Sequence, residues 1–452
     1  MIPNIIVSES IETDDDIPQP IIISPKKKTA QIVCFTLIVI MNLSSWIDLY
    51  GVFTESPLII PLTPEGWTLP SVMSICVTIA NIMPALVIFL RWYQGKRFSE
   101  IPYIYIIIII GILASLIFAF FWKETIYLFG RQRSIWIIGC VFALSMLDNT
   151  SSLVFFDYMK RFRSHYLRAV FLGEGLTGAI PTLLLLLQGI GGEAICVKTN
   201  NGTFDKPTFT EPRFSVTVFM FIITCIILAS LVAFLILQWT NIISLADAAE
   251  PENVPMIVPN DSIELSTPTS TSIQQMTEKS FFLLLFINTF NSLILFGILP
   301  PLITYIVLPY GQKALYYSSF LDTLGYSLVL LLNVKRPYLS MHQTILGSIC
   351  GCVFASFLII IAAQSPCPWW ADTVHGAFIT VFVHFISVMC IAYIRITIGN
   401  RIKDHWSNEK GLFYFGITIQ LGSVIGTIPI FLLVNVFELF VAREPCQTYC
   451  IK

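Results

Sequence analysis

The chain is poor in charge. Only 12% of its 452 residues are Asp, Glu, Lys or Arg, about half the roughly 25% found in soluble domains. It also lacks the marks of energy-coupling and hydrolytic chemistry: there is no phosphate-binding glycine loop followed by Lys and Ser or Thr, no cluster of His and Cys at metal-ligand spacing, and no nucleophile elbow. These absences argue against an ATP-driven pump and an ordinary hydrolase, so no catalytic residue, cofactor or metal is expected. A net charge of −2 carries no nucleic-acid signal, and no nucleic-acid partner is expected. No cleavable signal peptide is visible. Residues 1–25 contain Asp14, Asp15, Asp16 and several prolines and read as a disordered tail.

What the chain has in abundance is apolar length. Hydrophobic residues make up 55%, and the mean hydropathy is +0.77. Stretches long enough to cross a bilayer, which takes about 20 apolar residues, fall at 30–53, 68–91, 102–122, 134–157, 168–190, 214–239, 280–303, 313–334, 341–363, 372–394 and 411–438. They are uninterrupted rather than alternating, which favours helices over a barrel. The expectation is an all-α integral membrane protein with eleven transmembrane helices embedded in the lipid bilayer. Lys26, Lys27 and Lys28 directly before the first stretch place the N-terminus in the cytoplasm. With that orientation 17 of the 26 basic residues lie inside, Arg395 among them, and an odd number of spans puts the C-terminus outside. The loop holding Arg131 and Arg133 fits this orientation least well.

The expected organisation is a cytoplasmic tail at 1–29, a lobe of six helices at 30–239, an acidic Ser, Thr and Pro-rich cytoplasmic loop at 240–279, a lobe of five helices at 280–438 and an extracellular tail at 439–452. The long loop reads as a disordered linker, or alternatively as a phosphorylated regulatory segment. Cys196, Cys367, Cys446 and Cys450 fall on the outer face, where an oxidising exterior permits two disulfides in any of three connectivities. Asn201 lies in a glycosylation sequon on the same face. Gly347-x-x-x-Gly351 and Gly422-x-x-x-Gly426 permit close helix approach.

Ionisable groups at membrane depth are costly enough to mark function. The candidates are Asp48, Asp148, Glu174, Asp322 and His384. Trp46, Tyr50 and Phe53 are spaced i, i+4, i+7 and share a helix face with Asp48 and Glu55 nearby. That face suits a flat hydrogen-bonding ligand, or else an aromatic belt at the membrane interface. Glu174 could form a structural salt bridge with the nearby basic run or act as a gate that pairs and unpairs. His384 could sense protons or simply pack as a hydrogen-bonded residue.

Several blocks then resemble a known family. Ser45-Trp46, Gly51, Glu55-Ser-Pro57 and Pro64-Glu-Gly-Trp-Thr-Leu-Pro70 resemble the first span and first outer loop of the eukaryotic riboflavin transporters. Asp148-x-Thr-Ser-Ser152 resembles the end of their fourth span. Phe171-Leu-Gly-Glu-Gly-Leu-Thr177, with Pro181, Gln188 and Gly189, resembles their fifth. Pro309-Tyr-Gly311, Ser365-Pro-Cys-Pro368, Gln420-Leu-Gly-Ser423 and Cys446-x-x-x-Cys450 continue the match in order. The resemblance implies a 6+5 fold similar to the major-facilitator and equilibrative-nucleoside-transporter arrangement. It also implies sodium-independent, facilitative uptake of riboflavin across the plasma membrane by alternating access. The chain departs from the family where substrate is expected. Tyr50 and Phe53 replace an Asn and a Trp, Ser292 to Gly297 lacks two asparagines, Tyr326-Ser327 replaces an Asn-Pro pair, and His384 replaces a Trp. Asp48 and Asp322 are carboxylates at neutral positions.

The combined expectation is a riboflavin carrier, not an enzyme. Trp46, Tyr50 and Phe53 would shape a ring pocket, with Asp48, Asn81, Thr177, Tyr305, Asp322 and Gln420 as hydrogen-bond partners and Glu55, Asp148 and Glu174 as gating residues. The rivals are a transporter of another aromatic, nucleoside-like or cationic solute, favoured by the extra carboxylates, and a non-transporting membrane receptor on the same scaffold.

Overall fold

The computed structural model describes residues 25–248 and 276–450, apart from short stretches at 129, 164–165, 190–194, 198–205, 209–210, 336–337, 407–410, 444 and 447–449. The tail before residue 25, most of the 240–279 loop and Asn201 therefore lie outside the described residues. The chain is helical throughout its apolar stretches, because a helix is the structure that satisfies every backbone group of a segment from within in lipid. Among the described residues nine helices are long and apolar enough to cross a membrane, or ten if a pair bent by 49° counts as one. The place of the expected eighth span is taken by α12, Gln312–Lys335, whose 24 residues include Asp322.

The helices break where the sequence supplies competing groups. The bent pair is α1, Pro25–Leu43, followed by α2, Ile47–Ile59. At its bend Asn42 donates to the Ile38 carbonyl (2.8 Å), Ser44 to Met41 (2.9 Å) and Ser45 to Asn42 (2.7 Å). Side chains that bond back onto carbonyls of the preceding turn offer the backbone an alternative to the helical ladder. The second span breaks between α3, Leu69–Ile79, and α4, Ile82–Gln94, one turn before Pro84, which has no N–H for the Ala80 carbonyl. The remaining helices of the first half are α5 Ile101–Phe121, α6 Ile135–Met159, α7 Leu167–Gln188, α8 Val216–Trp239 and the short α9 Ile242–Leu245. In the second half, α10 Glu278–Ser292 runs into a π-helical turn at Leu293–Ile298 and then α11 Leu299–Val307. Pro300 and Pro301 leave carbonyls of that turn without their usual donors. The series ends with α13 Met341–Ala363, α14 Val374–His405 and α15 Gly411–Asn435.

The apolar core gathers in one cluster drawn from residues 30–248 and two from the second half. The halves meet mainly through α7 and α2 against α12 and through α3 against α11 and α15. One end of the bundle carries both disulfides, Cys196–Cys446 and Cys367–Cys450, and two small hairpins, Ile126–Leu128 with Arg131–Arg133 and Ile195–Val197 with Lys206–Thr208. At this disulfide end three polar bonds cross between halves. Thr304 Oγ1 donates to the Trp67 carbonyl (2.9 Å), Gln312 Nε2 to the Pro57 carbonyl (2.9 Å) and Asn435 Nδ2 to Ser71 Oγ.

The opposite end is tied by ion pairs within the first half. Asp247 takes Lys27 Nζ (3.0 Å) and Arg163 Nη2 (2.8 Å), while Arg163 N donates to the Ala248 carbonyl (2.9 Å) and Ala246 and Ala248 are buried. Arg91 reaches Asp157 (3.2 Å), and Arg161 pairs with Glu100. The departing 240–279 loop is thus pinned at its start.

Two predictions follow from this packing. Both small-residue pairs are close approaches: Gly347 and Gly351 face Ile394 and Ile391, and Gly422 and Gly426 face span-7 backbone. A Cβ at Gly422 would lie 2.3 Å from the Thr289 carbonyl oxygen, and backbone cannot yield as a side chain can. Gly422→Val is expected to cost at least about 1–3 kcal/mol and to remove the folded peak in fluorescence-detected size-exclusion chromatography. Gly416→Ala, where a Cβ meets nothing within 4 Å, is expected to leave the peak unchanged. The second prediction concerns Asp247, whose carboxyl is held below its ordinary 3.8 by Lys27 and then by Arg163. A lowered folded value means the anchor is fully present above the ordinary pKa and is lost as pH falls through the lowered one. The hydrogen-exchange protection factors of residues 242–248, which are corrected for the intrinsic pH dependence of exchange, should therefore be unchanged between pH 7 and pH 5, and Asp247→Asn should lower them several-fold at both.

Candidate functional site

Trp46 and Tyr50 stand at the start of α2, just past the bend, with ring centroids 6.2 Å apart. Tyr50 in turn lies 6.0 Å from the ring of Tyr326 on α12, so an aromatic row crosses from one half to the other. The Tyr326 hydroxyl donates to Glu174 Oε1 on α7 (3.3 Å) and accepts from Arg395 Nη2 on α14 (2.8 Å). The Arg395 guanidinium lies over two rings, 4.8 Å from the centroid of Phe296 and 5.7 Å from that of Tyr326. Phe296 belongs to the π-helical turn, a feature frequent at functional sites. Tyr50, Glu174, Phe296, Tyr326 and Arg395 are all half-buried, and they come from five different helical segments. The arrangement presents mutually tilted aromatic rings, one acid, one base and a shared hydroxyl between the halves.

The other expected residues fall into separate places. Asp322 is also on α12, with Oδ1 3.1 Å from His384 Nδ1, and the same nitrogen is 2.9 Å from Ser318 Oγ. His384 is buried, whereas the Asp322 side chain is 32% exposed, so this pair offers one accessible carboxylate edge. Next to it, Thr323 shares a hydroxyl contact with Thr182 of the other half. Thr177 is buried and donates to the Glu174 carbonyl (2.6 Å), which fixes the helical turn carrying that acid. Asn81 sits at the break between α3 and α4 with an unpartnered Oδ1. Gln420 is half-buried on α15.

Several residues lie away from the aromatic row. Asp48 is fully buried inside the first half beside Asp148. Its Oδ1 accepts from the Leu49 N–H (2.8 Å), while Asp48 Oδ2 and the Asp148 oxygens have no hydrogen-bond partner beyond each other among the described residues. Glu55 is equally enclosed, with Gln188 as its polar neighbour; the Gln188 amide donates to the Phe214 carbonyl (2.9 Å). Phe53 packs on the first-half core. Tyr305 is buried in the second-half core with its ring 5.4 Å from that of Phe440.

Sequence reasoning missed Arg395 and Phe296 as site residues. Arg395 was assigned to a cytoplasmic loop because the apolar run ends at 394. The structure places it within α14, ten residues before the end at His405, roughly 15 Å along the axis. The signal available was the resumption of apolar residues after it, Ile396, Ile398 and Ile402, all on the helix and the last two buried. Tyr326 was visible only as a bulky replacement, without its partners.

Comparison with known proteins agrees with the sequence blocks. The family described as solute carrier family 52, riboflavin transporter, matches residues 30–442. Riboflavin transporter 2 of Salmo salar is 29% identical over 455 residues, covering 91% of this chain and 98% of that protein. Solute carrier family 52, riboflavin transporter, member 3-A of Danio rerio is 30% identical over 443 residues, covering 90% and 97%. Riboflavin transporter rft-1 of Caenorhabditis elegans is 29% identical over 432 residues, covering 91% and 98%. Among solved structures, the D-xylose-proton symporter overlaps with a TM-score of 0.49 at 10% identity over 90% of this chain and 89% of that one. The nucleoside transporter NupG overlaps at 0.47 and 11% identity, covering 94% and 93%. A family match across nearly the whole bundle, including the helices that carry Glu174, Tyr326 and Arg395, means that the chain belongs to the riboflavin transporter family, solute carrier family 52.

Proposed function

We propose that this protein carries riboflavin across the plasma membrane by facilitated, sodium-independent alternating access. The observation that carries this reading is the aromatic row from Trp46 through Tyr50 to Tyr326, bridging the two halves and ending on a Glu174 and Arg395 pair. Riboflavin is neutral and has a flat tricyclic ring and a chain of hydroxyls. Aromatic faces can stack on the ring. The acid, the base and the exposed edge of Asp322 can take hydroxyls and ring heteroatoms. Within the aromatic row the Glu174 and Arg395 charges offset each other through the shared Tyr326 hydroxyl, which suits a neutral solute.

In this reading the halves 30–239 and 280–438 are the rocking lobes, with Glu174 as a gate on the inner side and Glu55 on the outer. The disulfide end is extracellular, the N-terminus and the 240–279 loop are cytoplasmic, and Asn201 is available for glycosylation. The three bonds that cross between halves at the disulfide end then make the present state one closed to the outside. Substrate leaves or enters from the cytoplasm, and opening outward requires Thr304, Gln312 and Asn435 to release Trp67, Pro57 and Ser71.

One observation favours a second reading. The Asp322 carboxylate, 32% exposed and met on one oxygen by His384, would suit a cationic solute. Competition separates the two readings. Labelled riboflavin uptake by riboflavin-auxotrophic cells expressing the chain is expected to saturate and to be blocked by unlabelled riboflavin but not by amines. Loss of one stacking partner costs about 0.5–1.5 kcal/mol, so Tyr50→Ala is expected to raise KM roughly 3–10-fold with surface expression unchanged. Block by amines with no effect of riboflavin would replace this reading by the second. An epitope appended at the C-terminus should be reached by antibody on intact cells, and labelling only after permeabilisation would invert the orientation.

A further inference from the structure

Arg395 makes fewer bonds than its chemistry allows. A guanidinium carries five N–H donors in a planar fork. Here Nη2 is used on the Tyr326 hydroxyl (2.8 Å), the plane rests over Phe296 and Tyr326, and Nε is buried with no hydrogen-bond partner among the described residues. Glu174 is not its direct partner, since the acid is reached only through the same hydroxyl. A purely structural ion pair would close this gap by direct contact. The arrangement instead fixes the guanidinium by two ring faces and one hydroxyl, and leaves donor capacity over at the edge of the aromatic row.

A ligand that completes such a site has to be flat, to lie in the aromatic row, and to present adjacent acceptors in its own plane. A planar fork pairs best with two acceptors side by side. The pyrimidine-dione edge of a flavin has that pattern, a ring carbonyl next to an unprotonated ring nitrogen. An amine or ammonium would meet a fixed positive charge there. Resting on the riboflavin reading above, we propose that Arg395 is the specificity-determining residue for the dione edge of the flavin ring, with Phe296 and Tyr326 as the faces that orient it. The residue then selects what enters the site by its heteroatoms, and the ring stack alone does not.

The test is competition against labelled riboflavin uptake by two tricyclic probes. Lumiflavin keeps the dione edge and lacks the sugar-alcohol chain; phenazine has three fused rings and no dione. Wild type is expected to be inhibited at least tenfold better by lumiflavin than by phenazine. Arg395→Gln should raise the riboflavin KM more than tenfold and bring the two inhibitors within threefold of each other, while Tyr326→Phe, which keeps the cation, should retain most of the preference. An unchanged preference in Arg395→Gln, or a fall in kcat with KM unchanged, overturns the proposal and assigns Arg395 to a structural pairing with Glu174. If surface labelling shows that Arg395→Gln does not fold, Arg395→Lys carries the same test. It keeps charge but not the fork, and an unchanged preference there also overturns the proposal. Absence of wild-type riboflavin uptake would overturn the transport reading. Tryptophan quenching of purified wild type and Arg395→Lys by lumiflavin and phenazine would then still decide whether Arg395 reads the dione edge.

Discussion

One hydroxyl, that of Tyr326, ties an acid of the first half to a base of the second. Tyr326 belongs to the second half, holds Glu174 of the first, and accepts from Arg395 of its own. Without that hydroxyl the Glu174 acid and the Arg395 base would have no common partner to fix their distance. The bond to Glu174 is long and the bond to Arg395 is short, so the weaker contact is the one between halves. Rocking can break it while leaving the cation and its two ring faces as one unit. Acid and base thus separate without either leaving the bundle.

The same economy governs the helix breaks. Lipid offers backbone groups no partner, so an interrupted helix has to turn its freed groups inward. The bend at Leu43–Ile47 is covered by Asn42, Ser44 and Ser45 and places Trp46 and Tyr50 on the aromatic row. The π-helical turn at Leu293–Ile298 is covered on its back by the close approach of Gly297 to Gly426 and turns Phe296 toward Arg395. Both irregular segments therefore do two things at once. They give up regular helix, and they aim a ring from each half at the same space.

Much of this was legible in the sequence, and the misses have physical causes. Apolar length alone revealed an all-helical membrane protein, since each helix satisfies itself and needs no knowledge of its neighbours. Among the described residues, however, nine or ten of the eleven expected spans are long and apolar enough to cross a membrane, and α12 with Asp322 is not one of them. The small-residue pairs were legible for the same reason, as a local pattern with a local consequence. The four outer cysteines were identified but not paired, because connectivity depends on where the tail lies. Periodicity put Phe53 with Trp46 and Tyr50, yet Phe53 packs into the first-half core. It also put Asp48 beside the aromatic face, whereas the bend turns it toward Asp148. Hydropathy ended the tenth span at residue 394, because a window that meets Arg395 stops there. It cannot register that Phe296 and Tyr326 come from elsewhere in the chain to shelter that charge.

The disulfides set a boundary on any rocking motion. The tail after α15 is bonded at Cys446 to Cys196, in the hairpin between α7 and α8, and at Cys450 to Cys367, between α13 and α14. One short segment therefore ties both halves covalently at the end where Thr304, Gln312 and Asn435 also bridge them. Hydrogen bonds can release in each cycle, whereas the disulfides cannot. Opening at this end has to be absorbed by the tail and the hairpin, which sit outside the packed helices. The covalent ties are thus compatible with alternating access only because they join loops, and the sliding surfaces of α2, α3 and α7 against α11, α12 and α15 are left to hydrogen bonds and apolar contact.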